Sequence, residues 1–126
     1  MAINQHKSKR KATGGRYQAS YKKKLRTVGR LPTLTKLGKG KRKTLRTTGG
    51  GKKTILLNTQ TANLYDPKTK KYTKAKIESI EENPANRHFA RRSIMTKGTI
   101  IKTDKGQAKI TSRPGQEGTI NAILVK

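Results

Sequence analysis

Cysteine and tryptophan are absent from this chain of 126 residues, phenylalanine occurs once, and only 6 side chains are carboxylates. Without cysteine there are no disulfides, no thiolate nucleophile and no cysteine-ligated zinc. The longest uninterrupted apolar run, Ala122 to Val125, is far too short to cross a bilayer, and an interfacial helix would need aromatics that the chain lacks. Residues 1 to 20 hold no apolar segment of the kind a secretory signal requires, so a cytoplasmic protein is expected.

Basic side chains fill the space that the absences leave. The chain carries 32 Lys and Arg, a formal net charge of +26, with 29% of residues hydrophobic. Such an imbalance calls for a polyanion, and with the membrane disfavoured the expected partner is nucleic acid. No membrane association, cofactor or small-molecule substrate is expected.

The charge is unevenly placed. Residues 1 to 53 contain 18 basic and no acidic side chains, whereas residues 54 to 126 contain 14 basic and all 6 acidic ones. Apolar residues divide the other way, 13 before the boundary and 24 after it. A core therefore belongs to the second half, and the first half has too little apolar surface to offset the entropy of ordering its backbone alone.

Within the second half, KTLRT and KKTILLN flank Gly49 to Gly51 and read as a hairpin around a glycine turn. Asn63 to Asp66 leads into DPKTKK, where Asp66 is placed to bond backbone two residues on. Tyr72 to Glu82 reads as a half-buried strand through Ala75, Ile77 and Ile80, with a slip in its alternation that suggests a bulge. Thr99 to Thr103, DKG and Gln107 to Arg113 make a second hairpin, with Ala108, Ile110 and Ser112 on one side and Lys109, Thr111 and Arg113 on the other. Thr119 to Val125 is the last strand.

Asn83 and Pro84 before ANRHFARR predict one short helix with Asn83 as its N-cap. About six short strands with no alternating helices point to a mainly β fold, a small antiparallel barrel. In the first half Tyr17, Tyr21, Leu25 and Val28 recur at helical spacing with Gly29 as C-cap, predicting a short helix from about Arg16 that is stable only when docked. Leu31, Leu34 and Leu37 are expected to pin an extended segment to the barrel. Residues 1–43 are thus a basic extension and 44–126 the barrel domain.

Motifs for catalysis are weak. GGGKKT lacks the glycine five residues before Gly51 that a phosphate-binding loop needs, and Lys53 stands where Ser or Thr would hold magnesium. Glu78, Glu81 and Glu82 on a lysine-rich strand fit solvated counter-charges better than an acid and base pair. His6 and His88 have no nucleophile or metal partner at recognisable spacing. A lysine-rich face is ordinarily just solvated, but such faces interleave both signs. Here 53 residues pass without an acid, which favours phosphate contact. Gly14 and Gly15 add a backbone that can turn and approach phosphate closely, and Tyr17 and Tyr21 either stack on bases or pack as helix ridges.

KATGGRY at Lys11 to Tyr17, GRLPTLT at Gly29 to Thr35, RTTGGGKK at Arg46 to Lys53, YDPKTKK at Tyr65 to Lys71, ENPANRHFARR at Glu82 to Arg92 and SRPGQEG at Ser112 to Gly118 occur in an order that resembles the archaeal form of the S-eight-e family of small-subunit ribosomal proteins. The long insertion that eukaryotic members carry before the SRPGQ segment is missing, since Ile110 and Thr111 lead into it directly. The resemblance implies a structural, non-enzymatic component of the small ribosomal subunit, acting in translation, whose partners are small-subunit ribosomal RNA and neighbouring ribosomal proteins.

On that reading the expected RNA contacts in the extension are Lys7, Lys9, Arg10, Lys11, Gly14, Gly15, Arg16, Lys22, Lys23, Lys24, Arg26 and Arg30. On the barrel they are Arg46, Lys52, Lys53, Arg91, Arg92 and Arg113. A nucleic-acid compactor of chromatin type, or less favourably an RNA-processing enzyme, stands as the alternative.

Overall fold

Alternation of inward β-branched or alanine residues with outward lysines dictates strands over most of the second half. The computed structural model describes residues 3–5, 8, 10–17 and 24–125 and shows how those strands pair. The chain forms two compact units, Met1–Pro32 and Thr33–Lys126. The extension expected from the sequence ends at residue 43, whereas the compact units divide after Pro32, with segments 35–37 and 41–46 forming strands of the second unit.

Among its described residues the first unit has little regular structure. β1 (Ile3–Asn4) pairs antiparallel with β2 (Val28–Gly29), a single 3-10 turn covers Leu25–Thr27, and Arg10 bridges Arg16. The helix expected from Arg16 is corrected where the chain is described, since Arg16 lies in the bridge and Val28 and Gly29 in a strand. Tyr21, Lys22 and Lys23 lie outside the described residues. Leu31, expected as an anchor, is 76% exposed.

The second unit contains β3 (Thr35–Leu37), β4 (Lys41–Arg46), β5 (Lys52–Thr59), β6 (Thr61–Asp66), β7 (Lys71–Glu82), a one-turn helix α1 (Arg87–Arg91), β8 (Ile94–Met95), β9 (Ile100–Thr103), β10 (Gly106–Ile110) and β11 (Asn121–Leu124). Five strands close a barrel in the order β10-β11-β6-β7-β9, with β9 and β10 completing the ring. The other four form a second sheet in the order β4-β5-β3-β8. The fold is mainly β as expected. It is not antiparallel throughout, because β11 runs parallel to β6 and β3 parallel to β5.

A five-stranded barrel is narrow, and its interior is filled accordingly. Ala62 faces Ala75 across β6 and β7, Ala108 and Ala122 line β10 and β11, and Leu64, Ile77, Ile101, Ile110 and Ile120 supply the bulk. Leu56 and Met95 join this core from the second sheet, so one apolar cluster serves both sheets. β7 bends to close the ring through register shifts between Ile77 and Ser79 and between Ile80 and Glu82, the bulge that its slipping alternation predicted.

Side-chain hydrogen bonds fix the connections. The Thr35 hydroxyl, fully buried, donates to the Leu56 carbonyl at 2.6 Å and secures β3 to β5. Asn83 does not cap α1. Its side chain is buried, donates to the Ile94 carbonyl at 3.1 Å, and accepts from the Ala85 N–H at 3.0 Å and the Thr96 hydroxyl at 3.0 Å. Asn86 is the N-cap, accepting from the His88 N–H at 2.9 Å. Two asparagines precede the helical run, and the first is drawn inward where it pairs the buried Ile94 carbonyl of β8. Asp66 behaves as its position in DPKTKK predicted, accepting from the Lys68 N–H at 2.9 Å and the Thr69 hydroxyl at 2.9 Å.

Asn83→Ala is expected to destabilise the protein by about 2 kcal/mol, since the buried Ile94 carbonyl and two partly buried partners lose one side chain. The check is a lower urea midpoint at unchanged slope. Hydrogen bonds from the Lys68 backbone, and then from Thr69, hold the Asp66 carboxyl below the usual carboxylate range. Because its folded value is depressed, the contribution of this turn is present above the unfolded-state value and lost as pH falls through the lower, folded one. Amide NMR of Lys68 should follow that low transition, and Asp66→Asn should abolish it.

Candidate nucleic-acid interface

In the first unit, KATGGRY folds into a small hairpin loop. The Lys11 N–H donates to the Gly15 carbonyl at 2.8 Å, the Gly14 N–H to the Lys11 carbonyl at 3.0 Å, and an Arg10 guanidinium nitrogen to the Gly14 carbonyl at 2.9 Å. Gly14 has φ +86°, and a Cβ there would meet nothing within 4 Å. Its glycine is thus required by the turn, with open space around it. Lys11 Nζ lies 5.9 Å from the centre of the Tyr17 ring, so Tyr17 carries a cation on one side. Arg10, Lys11, Gly14, Gly15 and Arg16 are brought together in this loop, all exposed, and Lys24, Arg26 and Arg30 are exposed near the single turn and β2. Lys7, Lys9, Lys22 and Lys23 lie outside the described residues.

In the second unit the expected residues separate into two places. Arg46, Lys52, Lys53 and Arg113 belong to the β4–β5 end, while Arg91 and Arg92 close α1, which packs beside β7 and β8 at the opposite edge of the second sheet. All six are exposed. Strand spacing puts β4 and β8 about 14 Å apart across that sheet.

The β4–β5 hairpin is a ribbon with two solvent faces. From residues 41 to 44 and from 51 to 54 every side chain is exposed, so neither face of this end contributes to the core. Arg46 stands directly opposite Lys52, and Thr44 opposite Thr54. Like charges facing each other across strands are destabilising, and no acid lies on either strand. The ladder and the turn hold the ribbon instead: the Thr47 N–H donates to the Gly51 carbonyl at 2.7 Å, and Gly49 and Gly50 have φ +77° and +82°. Both are left-handed values at which a side chain is strained. β5 then turns inward, with Ile55 and Leu56 buried, and so joins ribbon to core.

The loop between β10 and β11 sets the ribbon's position. SRPGQEG, residues 112 to 118, lies along β5: the Leu56 N–H donates to the Pro114 carbonyl at 3.1 Å and Lys53 Nζ to Gln116 Oε1 at 3.0 Å. A Cβ on Gly115 would stand 3.0 Å from the Thr33 carbonyl oxygen, and one on Gly118 would stand 3.1 Å from Thr54 Cγ2. These glycines permit contact with β5 and with the segment before β3. The loop carries Arg113 beside the ribbon. Lys41, Arg42 and Lys43, not singled out from the sequence, are exposed on the same ribbon; the run KGKRKTLR before the glycine turn was the signal for them.

Two glutamates of β7 meet partners on β9 and β10. Glu78 lies 3.9 Å from Lys102 Nζ, and Glu81 accepts from Gln107 Nε2 at 2.6 Å. Among the described residues no three His, Cys, Asp or Glu side chains are grouped as metal ligands would be. The arrangement therefore offers cations on a projecting scaffold.

Comparison with known proteins gives a consistent family. The family described as "Ribosomal protein S8e" matches residues 4–125. The chain is 52% identical over 122 residues to the small ribosomal subunit protein eS8 of Methanocorpusculum labreanum, covering 97% of this chain and 98% of that one. It is 45% identical over 125 residues to that of Picrophilus torridus, covering 99% and 100%, and 49% identical over 126 residues to that of Methanococcus aeolicus, covering 99% and 98%.

Gly115→Ala tests the role of the loop. The added methyl must displace backbone, and a loss of about 1 kcal/mol is expected, with NMR shifts concentrated at Lys53 to Leu56. Gln116→Ala, which removes a single exposed hydrogen bond, should stay within about 0.5 kcal/mol of the parent.

Proposed function

The chain belongs to the ribosomal protein S8e family, and from that membership we propose that it is a non-enzymatic constituent of the small ribosomal subunit that binds ribosomal RNA by neutralising phosphates. The observation that carries the reading is the β4–β5 ribbon, six exposed basic side chains (Lys41, Arg42, Lys43, Arg46, Lys52 and Lys53) on a two-faced projection with no acid. Such a ribbon is unfavourable in isolation and becomes favourable between phosphate backbones.

The mechanism follows from charge and shape. A-form RNA hides its base edges in a deep, narrow groove, so a cationic ribbon meets phosphates and 2′-hydroxyls rather than sequence. Arginine offers a planar fork for bidentate phosphate contact and lysine a point charge. With side chains on both faces, the ribbon addresses two backbone segments at once and screens their mutual repulsion. Arg113 extends the positive surface beside it, and Arg91 and Arg92 form a second contact beyond β8. The Arg10 to Arg16 loop supplies an independent phosphate ligand in the first unit, its glycine turn presenting backbone as well as side chains.

No step in this role needs a cofactor, a metal or a small-molecule substrate. Its setting is the cytoplasmic ribosome, with neighbouring small-subunit proteins as further partners. RNA processing would require an acid and base pair converging on one point, and the pairing of Glu78 and Glu81 with side chains of β9 and β10 favours a structural role instead.

Arg42→Ala with Lys52→Ala removes two ribbon cations. The slope of log affinity against log salt for a small-subunit ribosomal RNA fragment should fall in magnitude by about 1.5. Lys52→Arg should leave the slope unchanged. Deletion of residues 1 to 30 should lower both the slope and incorporation into small subunits. An unaltered slope in the double variant, or equal affinity for duplex DNA at physiological salt, would refute phosphate recognition of ribosomal RNA through this surface.

A further inference from the structure

The barrel carries a second outward surface unlike the ribbon. β7, β6, β11 and β10 lie side by side, and their register sets Tyr72, Tyr65, Ile123 and Lys109 in one cross-strand row, with Lys74, Asn63 and Asn121 in the next. All of these but Lys109 line a concavity of about 790 Å³. The size falls within the range of small-ligand sites.

Its chemistry is aromatic, amide and cationic. The Tyr65 and Tyr72 rings have centroids 4.9 Å apart and are tilted by 40°. Tyr72 is 77% exposed, and Ile123 and Val125 of the same strand face are also exposed. An apolar patch on a chain this polar asks for an occupant. Asn63 Nδ2 donates to Asn121 Oδ1 at 3.1 Å, which leaves the Asn63 oxygen and the Asn121 amide hydrogens as an acceptor and donor side by side. The Thr111 hydroxyl donates to the Asn121 carbonyl at 3.2 Å and fixes that strand end. Lys74 lines the concavity, and no acid does. Asp66, next along β6, is bound into its own turn.

We propose that this barrel face is a binding site for unpaired RNA nucleotides, with a base stacked on Tyr72 against Tyr65, its edge read by Asn63 and Asn121, and its phosphate met by Lys74. Unpaired bases expose the ring faces and edges that a duplex conceals, and stacking on aromatics is how protein sheets hold them. Charge selects RNA over a protein neighbour, since the cationic rim would repel the basic surfaces typical of RNA-binding proteins and attract phosphate. The proposal rests on the ribosomal RNA reading but uses a different surface and a different recognition chemistry from the ribbon.

The test uses the full chain with two probes, a short mixed-sequence single-stranded RNA and a fully paired RNA duplex, titrated at one salt concentration. Tyr72→Ala should weaken single-strand binding by about tenfold while leaving duplex binding unchanged. Tyr72→Phe, which keeps the ring, should retain both affinities, and 4-thiouridine in the single strand should crosslink to the peptide containing Tyr72. An unchanged ratio of single-strand to duplex affinity in Tyr72→Ala would overturn the proposal. So would crosslinks confined to the basic ribbon, or a defect of Tyr72→Ala in subunit incorporation with both RNA affinities intact, which would assign the face to a protein neighbour. None of these results bears on the salt slope of the ribbon variants, so the two readings fail separately.

Discussion

Mutual repulsion among 32 basic side chains is the term against which the fold is arranged. With 6 carboxylates the chain cannot neutralise itself through ion pairs, and exposed pairs would contribute little in any case. Cohesion must come from backbone ladders and from a small apolar core. Closing the barrel satisfies both needs together, since it removes two sheet edges and gathers the scattered alanines and isoleucines of five strands around one axis. The lysines on those strands, at alternate positions, are then pointed outward and away from one another.

β5 transmits this stability to the part of the second unit that has no core of its own. Its second half buries Ile55 and Leu56, while its first half is exposed and pairs with β4. The ribbon is thus a cantilever, anchored by the buried residues of one strand and braced along its side by the Ser112 to Gly118 loop. The bracing contacts are a backbone carbonyl, two glycine close approaches and one lysine, Lys53, bonded to Gln116. Most of the structural role has thus fallen to neutral groups.

Much of this was legible in the sequence. The two hairpins, the Asp66 turn, the bulge in β7 and the two-sided pattern of Ala108 to Arg113 rest on local rules of turn chemistry and alternation, and each is where it was expected. What was missed depends on contacts distant in sequence. Asn83 and Asn86 are equivalent as N-caps on local grounds, and only the approach of Ile94 and Thr96 draws Asn83 inward. The parallel pairing of β11 with β6 joins segments some sixty residues apart and has no local signature. The spacing of Tyr17, Leu25 and Val28 imitates a helix face, but Val28 is committed to pairing with Asn4. Of the site, the charge was legible and its projection on a two-faced ribbon was not, because alternation carries no sign when both faces are wet.

Separating the ribbon from the tyrosine-bearing barrel face has a physical rationale. Phosphate neutralisation wants many cations, full hydration and tolerance of position, and a ribbon with its side chains in water provides these. Stacking wants a rigid platform and a partly dry surface, and the barrel wall provides those because the core behind it holds every strand in register. Cations crowded onto the aromatic face would raise affinity for any phosphate and blunt the distinction between paired and unpaired RNA. On the proposed reading, a single lysine beside two rings and two amides would keep that distinction, with the dense charge placed on the ribbon.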